Sequence, residues 1–303
     1  MRRLRQFAGT VRVPTLSAPH AALIVAAMSW GVSTATTKFA LQSFSATDLL
    51  VVELGVATAC LWFMPGVRRG ARAGFRREYL LLGLIEPGLS YALFNFGLER
   101  TSGTDAAVLV SLESIALAVM GAAVLGERLA PVLVCGIALA VGGAVVLAAQ
   151  EGHEGATFAG NTLVVAGVLA AAAYSVVARR VTPGGDAAVV TAFQLAAAFA
   201  AAVPVWLVVS IGHGSTFGDA STSHWLGAAA TGLLGSAVPF LLYTFAVSRL
   251  PLSRTAAASN LIPVFGVAAA VLLLGERLTE TQVLGAALVV VGLSAAQLDP
   301  GDG

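Results

Sequence analysis

The sequence predicts an all-α integral membrane protein of ten transmembrane helices arranged as two inverted five-helix repeats. Three observations carry the prediction. The chain contains ten apolar runs long enough to cross a bilayer, its arginines fall overwhelmingly on one side of them, and a four-residue motif recurs 149 residues later. Composition sets the frame. Hydrophobic residues make up 57 % of the chain and charged ones 11 %, with mean hydropathy +0.87. A soluble domain is nearer one quarter charged, so most of this surface is not meant for water. The net charge of +1 gives no electrostatic footprint for a nucleic acid.

The runs cover residues 20–41, 47–64, 79–98, 104–125, 131–149, 160–178, 186–211, 224–248, 254–274 and 281–298. Each approaches the roughly 20 residues that a helix needs to cross about 30 Å of hydrocarbon. They are rich in Ala, Leu, Val and Gly without alternation, which excludes a lipid-spanning barrel. Helices are then the way to satisfy the backbone in lipid. The first run is too long for the apolar core of a signal peptide, so residues 1–19 read as a cytoplasmic tail and 299–303 as a second one. Cys60 and Cys135 both lie in apolar runs and read as small fillers.

Orientation follows from the positive charges. With the N-terminus inside, the inner segments hold Arg2, Arg3, Arg5, Arg12, Arg68, Arg69, Arg72, Arg76, Arg77, Arg128, Arg179, Arg180, Arg249 and Arg254. The outer segments hold Lys38, Arg100 and Arg277. The bias matches the positive-inside rule, and one missed span would scramble it. Trp62, Trp206 and Trp225 fall near run ends, as an interfacial belt expects, whereas Trp30 is mid-span.

Gly126-Glu127-Arg128-Leu129 recurs as Gly275-Glu276-Arg277-Leu278. The same offset pairs Gly83 with Gly232, Phe96 with Phe245, Arg100 with Arg249 and Gly143 with Gly292. A repeat containing an odd number of spans places its second copy upside down, a recurrent plan of secondary transporters. The boundaries read as 20–149 and 160–298. The paired Gly-Glu-Arg-Leu motifs, each closing one helix and opening a last helix with spaced glycines, resemble the EamA repeat of the drug/metabolite transporter superfamily. Trp30-Gly31 and the stretch from Asn260 to Pro263 fit the same pattern. Ser114 departs from it, because the second half has Pro263 there. The resemblance implies a transporter in a bacterial inner membrane, both termini cytoplasmic, exporting amino acids, metabolites or toxic compounds. It also implies a cavity lined by the first, third and fourth spans and by their partners, the sixth, eighth and ninth.

Three carboxyl groups lie inside runs: Glu53, Glu86 and Glu113. A charged residue at mid-helix costs about 2.5–3.5 kcal/mol on insertion scales. Each is therefore either a protonatable group on the substrate or proton pathway, or a neutral or paired Glu tying helices together. Glu113 reads as the principal one, near the middle of an unbroken fourth helix whose same-face neighbours, Ala106, Leu109, Leu117 and Met120, cannot neutralise it. Pro87, followed by Gly88, breaks the third span, and Pro239 and Pro263 occupy the eighth and ninth; all three read as kinks of a gate or of packing. Asn95, Asn260, Tyr91, Tyr243 and Trp30 are further pathway candidates, with Tyr174 and Gln194 behind them. The hydroxyls of Ser29, Ser33, Thr34, Thr36 and Thr37 read as close-packing residues, as does the Gly136, Ala140, Ala144 stripe, which would suit a homodimer. Glu127-Arg128 and Glu276-Arg277 read as caps holding tight turns.

The sole lysine follows no Gly-rich loop, so no ATP site is expected. The histidines lack metal-ligand spacing, and no cofactor is expected. The expected partners are a small-molecule substrate, the bilayer and protons as coupling ion. The rivals are an intramembrane enzyme using Glu86 and Glu113, and a lipid-linked-sugar flippase of the same superfamily.

Overall fold

A computed structural model describes residues 17–125, 157–250 and 261–280, together with Ala258, Ser259 and the isolated positions 139, 142, 283, 284, 287, 288 and 291. Most of the N-terminal tail and of the fifth and tenth predicted spans, and all of Gly126 to Leu129, the Gly136 stripe and Asn260, lie outside the described residues. All regular structure among the described residues is helical.

The elements start where the sequence supplies caps. Helix α1 (Ala18–Ala40) opens with a proline in its first turn, where a missing N–H costs nothing. Helix α2 (Ala46–Trp62) is capped by Ser45, which accepts from the Asp48 amide. Helix α3 (Pro65–Gly74) follows it across a bend of 89°. Its arginines alone predict a loop there. It is a short amphipathic helix that buries Val67 and Ala71 and leaves Arg68, Arg69 and Arg72 off the core. Helix α4 covers Glu78–Leu98. The fourth predicted span is two helices, α5 (Gly103–Val110) and α6 (Leu112–Leu125), interrupted at Ser111. The Ser111 hydroxyl donates to the Val108 carbonyl, the local competition by which serine unsettles a helix. Glu113 thus sits in the first turn of α6, not in the middle of an unbroken helix.

Helix α7 (Phe158–Val181) is capped by Thr157 and α8 (Ala187–His213) by Asp186. Helices α9 (Thr222–Val247) and α10 (Leu261–Leu274) complete the described set. Among the described residues four helices are long and apolar enough to cross a membrane: α4, α7, α8 and α9. The bent pair α2–α3 makes a fifth if it counts as one span.

Packing joins the two ends of the chain. Helix α1 lies against α9 and α10, α2 against α8 and α9, α4 against α7 and α8, and α6 against α7. Each of these pairs brings a helix before residue 125 against one after residue 157. Glycine permits close approach: a Cβ on Gly31 would stand 2.6 Å from the Ile262 carbonyl oxygen and 2.6 Å from the Phe265 Cβ. The core is mainly apolar, but the burial pattern departs from that of a soluble protein at both extremes. Leu207, Val208, Ile211, Leu226, Leu272 and Leu273 are exposed, whereas Thr37, Glu53, Asn95, Thr191, Gln194 and Thr244 are buried. An apolar rim with polar groups turned inward is what hydrocarbon solvent selects.

Two cations close helix ends in the same manner. The Lys38 ammonium, near the end of α1, donates to the carbonyls of Leu98 (2.8 Å) and Thr101 at the end of α4. The Arg179 guanidinium, near the end of α7, donates to the carbonyls of Val247 (2.9 Å) and Leu250 (2.8 Å) at the end of α9. Val247 and Leu250 lie 149 residues beyond Leu98 and Thr101, the offset of the repeated motif. Positive charge at a helix C-terminus also complements its dipole.

Candidate functional site

The site begins with two interrupted helices. In α4 the segment Leu84–Leu89 is widened, and Glu86 has extended backbone (φ −146°, ψ 126°) inside it. The Glu86–Pro87 peptide bond is cis. A helix interrupted in this way frees carbonyls that need other donors. The Gln194 side chain of α8 supplies one, donating to the Glu86 carbonyl at 2.8 Å. In α9 the segment Gly232–Ala237 is widened as well, and Pro239 follows in the next turn. Gly232 is the residue 149 beyond Gly83, which immediately precedes the interruption in α4. Wide turns of this kind recur at functional positions.

These interruptions border a cavity of about 80 Å³. Helix α1 contributes Trp30, Ser33, Thr34 and Thr37, and α2 contributes Glu53. Helix α4 contributes Glu86, Ser90, Tyr91, Phe94 and Asn95. Val110 and Glu113 come from α5 and α6, and Gly167, Val168, Ala171, Tyr174 and Ser175 from α7. Thr231, Gly235 and Tyr243 come from α9, and Ile262 from α10. The three intramembrane carboxyl groups therefore converge on one space. Glu86 and Glu113 face it from two different helices, α4 and α6.

Glu53 is buried and accepts from the Asn95 amide at 3.2 Å. The Trp30 indole N–H donates to the Tyr91 hydroxyl at 2.9 Å, and that hydroxyl donates to the Gly235 carbonyl. This chain ties α1, α4 and the widened turn of α9 together. Tyr243 donates to the Ser175 hydroxyl at 3.0 Å, and Tyr174 donates to the Gln194 side-chain oxygen at 3.3 Å. Trp30 stands edge-on to Phe240 and Tyr243, each 5.5 Å between ring centroids. A concave, largely apolar space with a few fixed polar groups is the usual form of a small-molecule site.

Of the residues singled out from sequence, Glu53, Glu86, Glu113, Asn95, Tyr91, Tyr243 and Trp30 all line this cavity. Pro87 and Pro239 flank it without lining it. Pro263 lies in the first described turn of α10. Ser33, Thr34 and Thr37, read from sequence as close-packing residues, line the cavity. The signal was available, since Trp30, Thr34 and Thr37 recur at helical spacing on one face. Ser29 and Thr36 do join helices, through the Leu234 carbonyl and the Thr231 hydroxyl.

Two polar centres lie outside the cavity: Asp48, which sequence reading missed, and Glu276, which it read as a cap. Asp48 is buried and accepts from the Trp206 indole (2.6 Å), the Thr216 amide (2.7 Å) and the Thr216 hydroxyl (2.6 Å). It pins the loop between α8 and α9 and gives Trp206 a partner within the protein. Glu276 accepts from the amides of Gly103 and Thr104, both at 2.8 Å, and from the Thr104 hydroxyl at 2.6 Å. It caps α5, a helix remote in sequence, where the sequence reading expected a local turn.

Comparison with known proteins agrees with this architecture. The chain is 25 % identical over 275 residues to a "Probable terminal-alkyne amino-acid exporter" of Streptantibioticus cattleyicolor, covering 90 % of this chain and 91 % of that one. It is 23 % identical over 267 residues to "Uncharacterized transporter YyaM" of Bacillus subtilis, covering 86 % and 87 %. A solved crystal structure superposes with TM-score 0.66 over 92 % of this chain and 96 % of the other at 19 % identity, a likeness of fold. The profile of the EamA-like transporter family matches residues 18–149 and 158–296. The chain is a multi-pass membrane protein that belongs to the EamA-like transporter family.

Proposed function

We propose that the protein is a secondary-active exporter that moves a small molecule out of the cell by alternating access around the cavity. Ten spans form two inverted five-helix units, residues 20–149 and 160–298, in a bacterial inner membrane with both termini cytoplasmic. Protons are the coupling ion and Glu113 is the principal acid. The observation that carries the reading is the convergence of Glu53, Glu86 and Glu113 on one cavity between interrupted helices. Carboxyl groups at membrane depth are costly, and in pumps and transporters they serve as proton relays. Discontinuous helices meeting at the boundary of two repeats are the usual construction of a substrate site. The matched caps of Lys38 and Arg179 support the inversion, because equivalent turns of α4 and α9 are closed alike. One relative is named an amino-acid exporter, which supports export of an amino acid or related metabolite.

The experiment is uptake and efflux of a metabolite panel in vesicles of purified protein, with and without a proton gradient. The expected result is gradient-dependent movement of at least one small metabolite. The presence of Glu86 and Glu113 in one cavity also favours a second reading, acid catalysis within the membrane. No transport combined with turnover of a lipid or peptide would replace the transporter reading with that one.

A further inference from the structure

The charges lining the cavity bear on the class of molecule it accepts, provided that it is the transport site. Glu53, Glu86 and Glu113 line it, and among its described lining residues there is no Lys, Arg or His. The two cations that close nearby helix ends point elsewhere: Lys38 holds the carbonyls of Leu98 and Thr101, and Arg179 those of Val247 and Leu250. An anion entering this space meets carboxyl groups and no counter-charge. A neutral molecule leaves any ionised carboxylate uncompensated in a water-poor setting, which is costly.

The aromatic lining points the same way. Trp30, Tyr91, Phe94, Tyr174 and Tyr243 surround the carboxyl groups. The hydroxyls of Tyr91, Tyr174 and Tyr243 already donate to Gly235, Gln194 and Ser175. What these rings chiefly offer an occupant is π-surface, which attracts cations and attracts them more strongly when desolvated. Glu53 already accepts from Asn95, so Glu86 and Glu113 are the pair best placed to take a new donor. We propose that the cavity accepts an organic cation, a protonated or quaternary amine, held between Glu86 and Glu113 and against the ring of Trp30. Its ammonium replaces the missing basic side chain of the site.

The test uses three probes of the same shape. Full-length protein in lipid nanodiscs is titrated at pH 7.5 with 2-phenylethylamine, 3-phenylpropanoate and 2-phenylethanol while tryptophan emission is followed. The expected result is a saturable change with the amine and half-saturation roughly tenfold or more lower than with the acid or the alcohol. Trp30→Phe removes the optical signal. Glu86→Gln and Glu113→Gln each weaken amine binding by roughly tenfold or more, whereas Glu113→Asp, which keeps the charge, restores most of it. Because the Gln variants could unfold, each is read only on protein that elutes as the parent does, and Glu113→Asp carries the comparison where they do not. Binding of the acid or the alcohol as tight as that of the amine overturns the cation class and leaves the cavity as the substrate site. Absence of any effect of the three probes on Trp30 emission overturns both.

Discussion

At position 31 a single methyl group is too much. Its Cβ would lie 2.6 Å from the Ile262 carbonyl oxygen, and α1 and α10 cannot separate without disturbing Gly266 against Ala107. Gly31→Ala is expected to destabilise the protein by about 1–3 kcal/mol through overpacking, read as a lower melting temperature in detergent. Gln194 is the second sensitive residue. Gln194→Leu removes the donor to the Glu86 carbonyl and the acceptor of the Tyr174 hydroxyl and should cost about 1–3 kcal/mol, read as a lower melting temperature in detergent. For Glu113 the expectation concerns transport. Glu113→Gln holds the group in a form that mimics the protonated acid, so proton-driven transport should stop while exchange across vesicles continues at substrate concentrations high enough to offset the weaker binding. Full proton-dependent transport by this variant would make Glu113 structural and Glu86 the next candidate. These acids were legible in sequence because charge in an apolar run is conspicuous. Gln194 was much less so, since a single side-chain amide in a 27-residue helix gives no hint that its partner is a backbone carbonyl on another helix.

The helices themselves followed from apolar length and capping residues, and departures occur where hydropathy is blind. A window over 104–125 averages across Ser111 and sees one span, yet the Ser111 hydroxyl competes for the Val108 carbonyl and the helix divides. The run of arginines after Trp62 reads as a loop by charge, yet Val67 and Ala71 have helical spacing and bury one face of α3. Pro87 announced its break, and the widened turn of α9 was half announced by Pro239. The caps make a prediction at this scale. Lys38→Met should loosen the last turn of α4, and Arg179→Met that of α9, by about 0.3–1 kcal/mol each, rising toward 2 if the ends are shielded from water. Hydrogen exchange followed by mass spectrometry should show faster exchange around residues 95–101 in the first variant and around 244–250 in the second. Equal change at both ends in either variant would mean general destabilisation and not loss of a cap.

For the whole molecule, the proposed topology makes opposite ends of the bundle chemically distinguishable. Gly66 and Gly218 are both exposed, and a Cβ at either meets nothing within 4 Å, so cysteine is tolerated there. In a background with Cys60 and Cys135 replaced, Gly66→Cys should react with an impermeant thiol reagent only in inside-out vesicles, and Gly218→Cys only in intact cells. Labelling of both from one side would overturn the orientation. The repeat motif told which parts of the chain are related, but it did not tell that α1, α2, α4 and α6 pack across onto the later helices. Periodicity records which face is apolar, and in hydrocarbon an apolar face does not by itself name its neighbour.

The cap that Glu276 places on α5 has a consequence for how the chain is made. The donor at Thr104 and the carboxylate that receives it are 172 residues apart. At ribosomal speeds of about 5–20 residues per second, that separation is on the order of ten seconds or more. Throughout that interval the amides of Gly103 and Thr104 wait at a helix start without the carboxylate that completes them. The first half can enter the membrane on schedule, yet the start of α5 is finished only after residue 276 has left the ribosome. A chain cut short after residue 250 should accordingly insert its early helices while the start of α5 exchanges its amide hydrogens freely. Maturation of the early half is thus timed by synthesis of the late one.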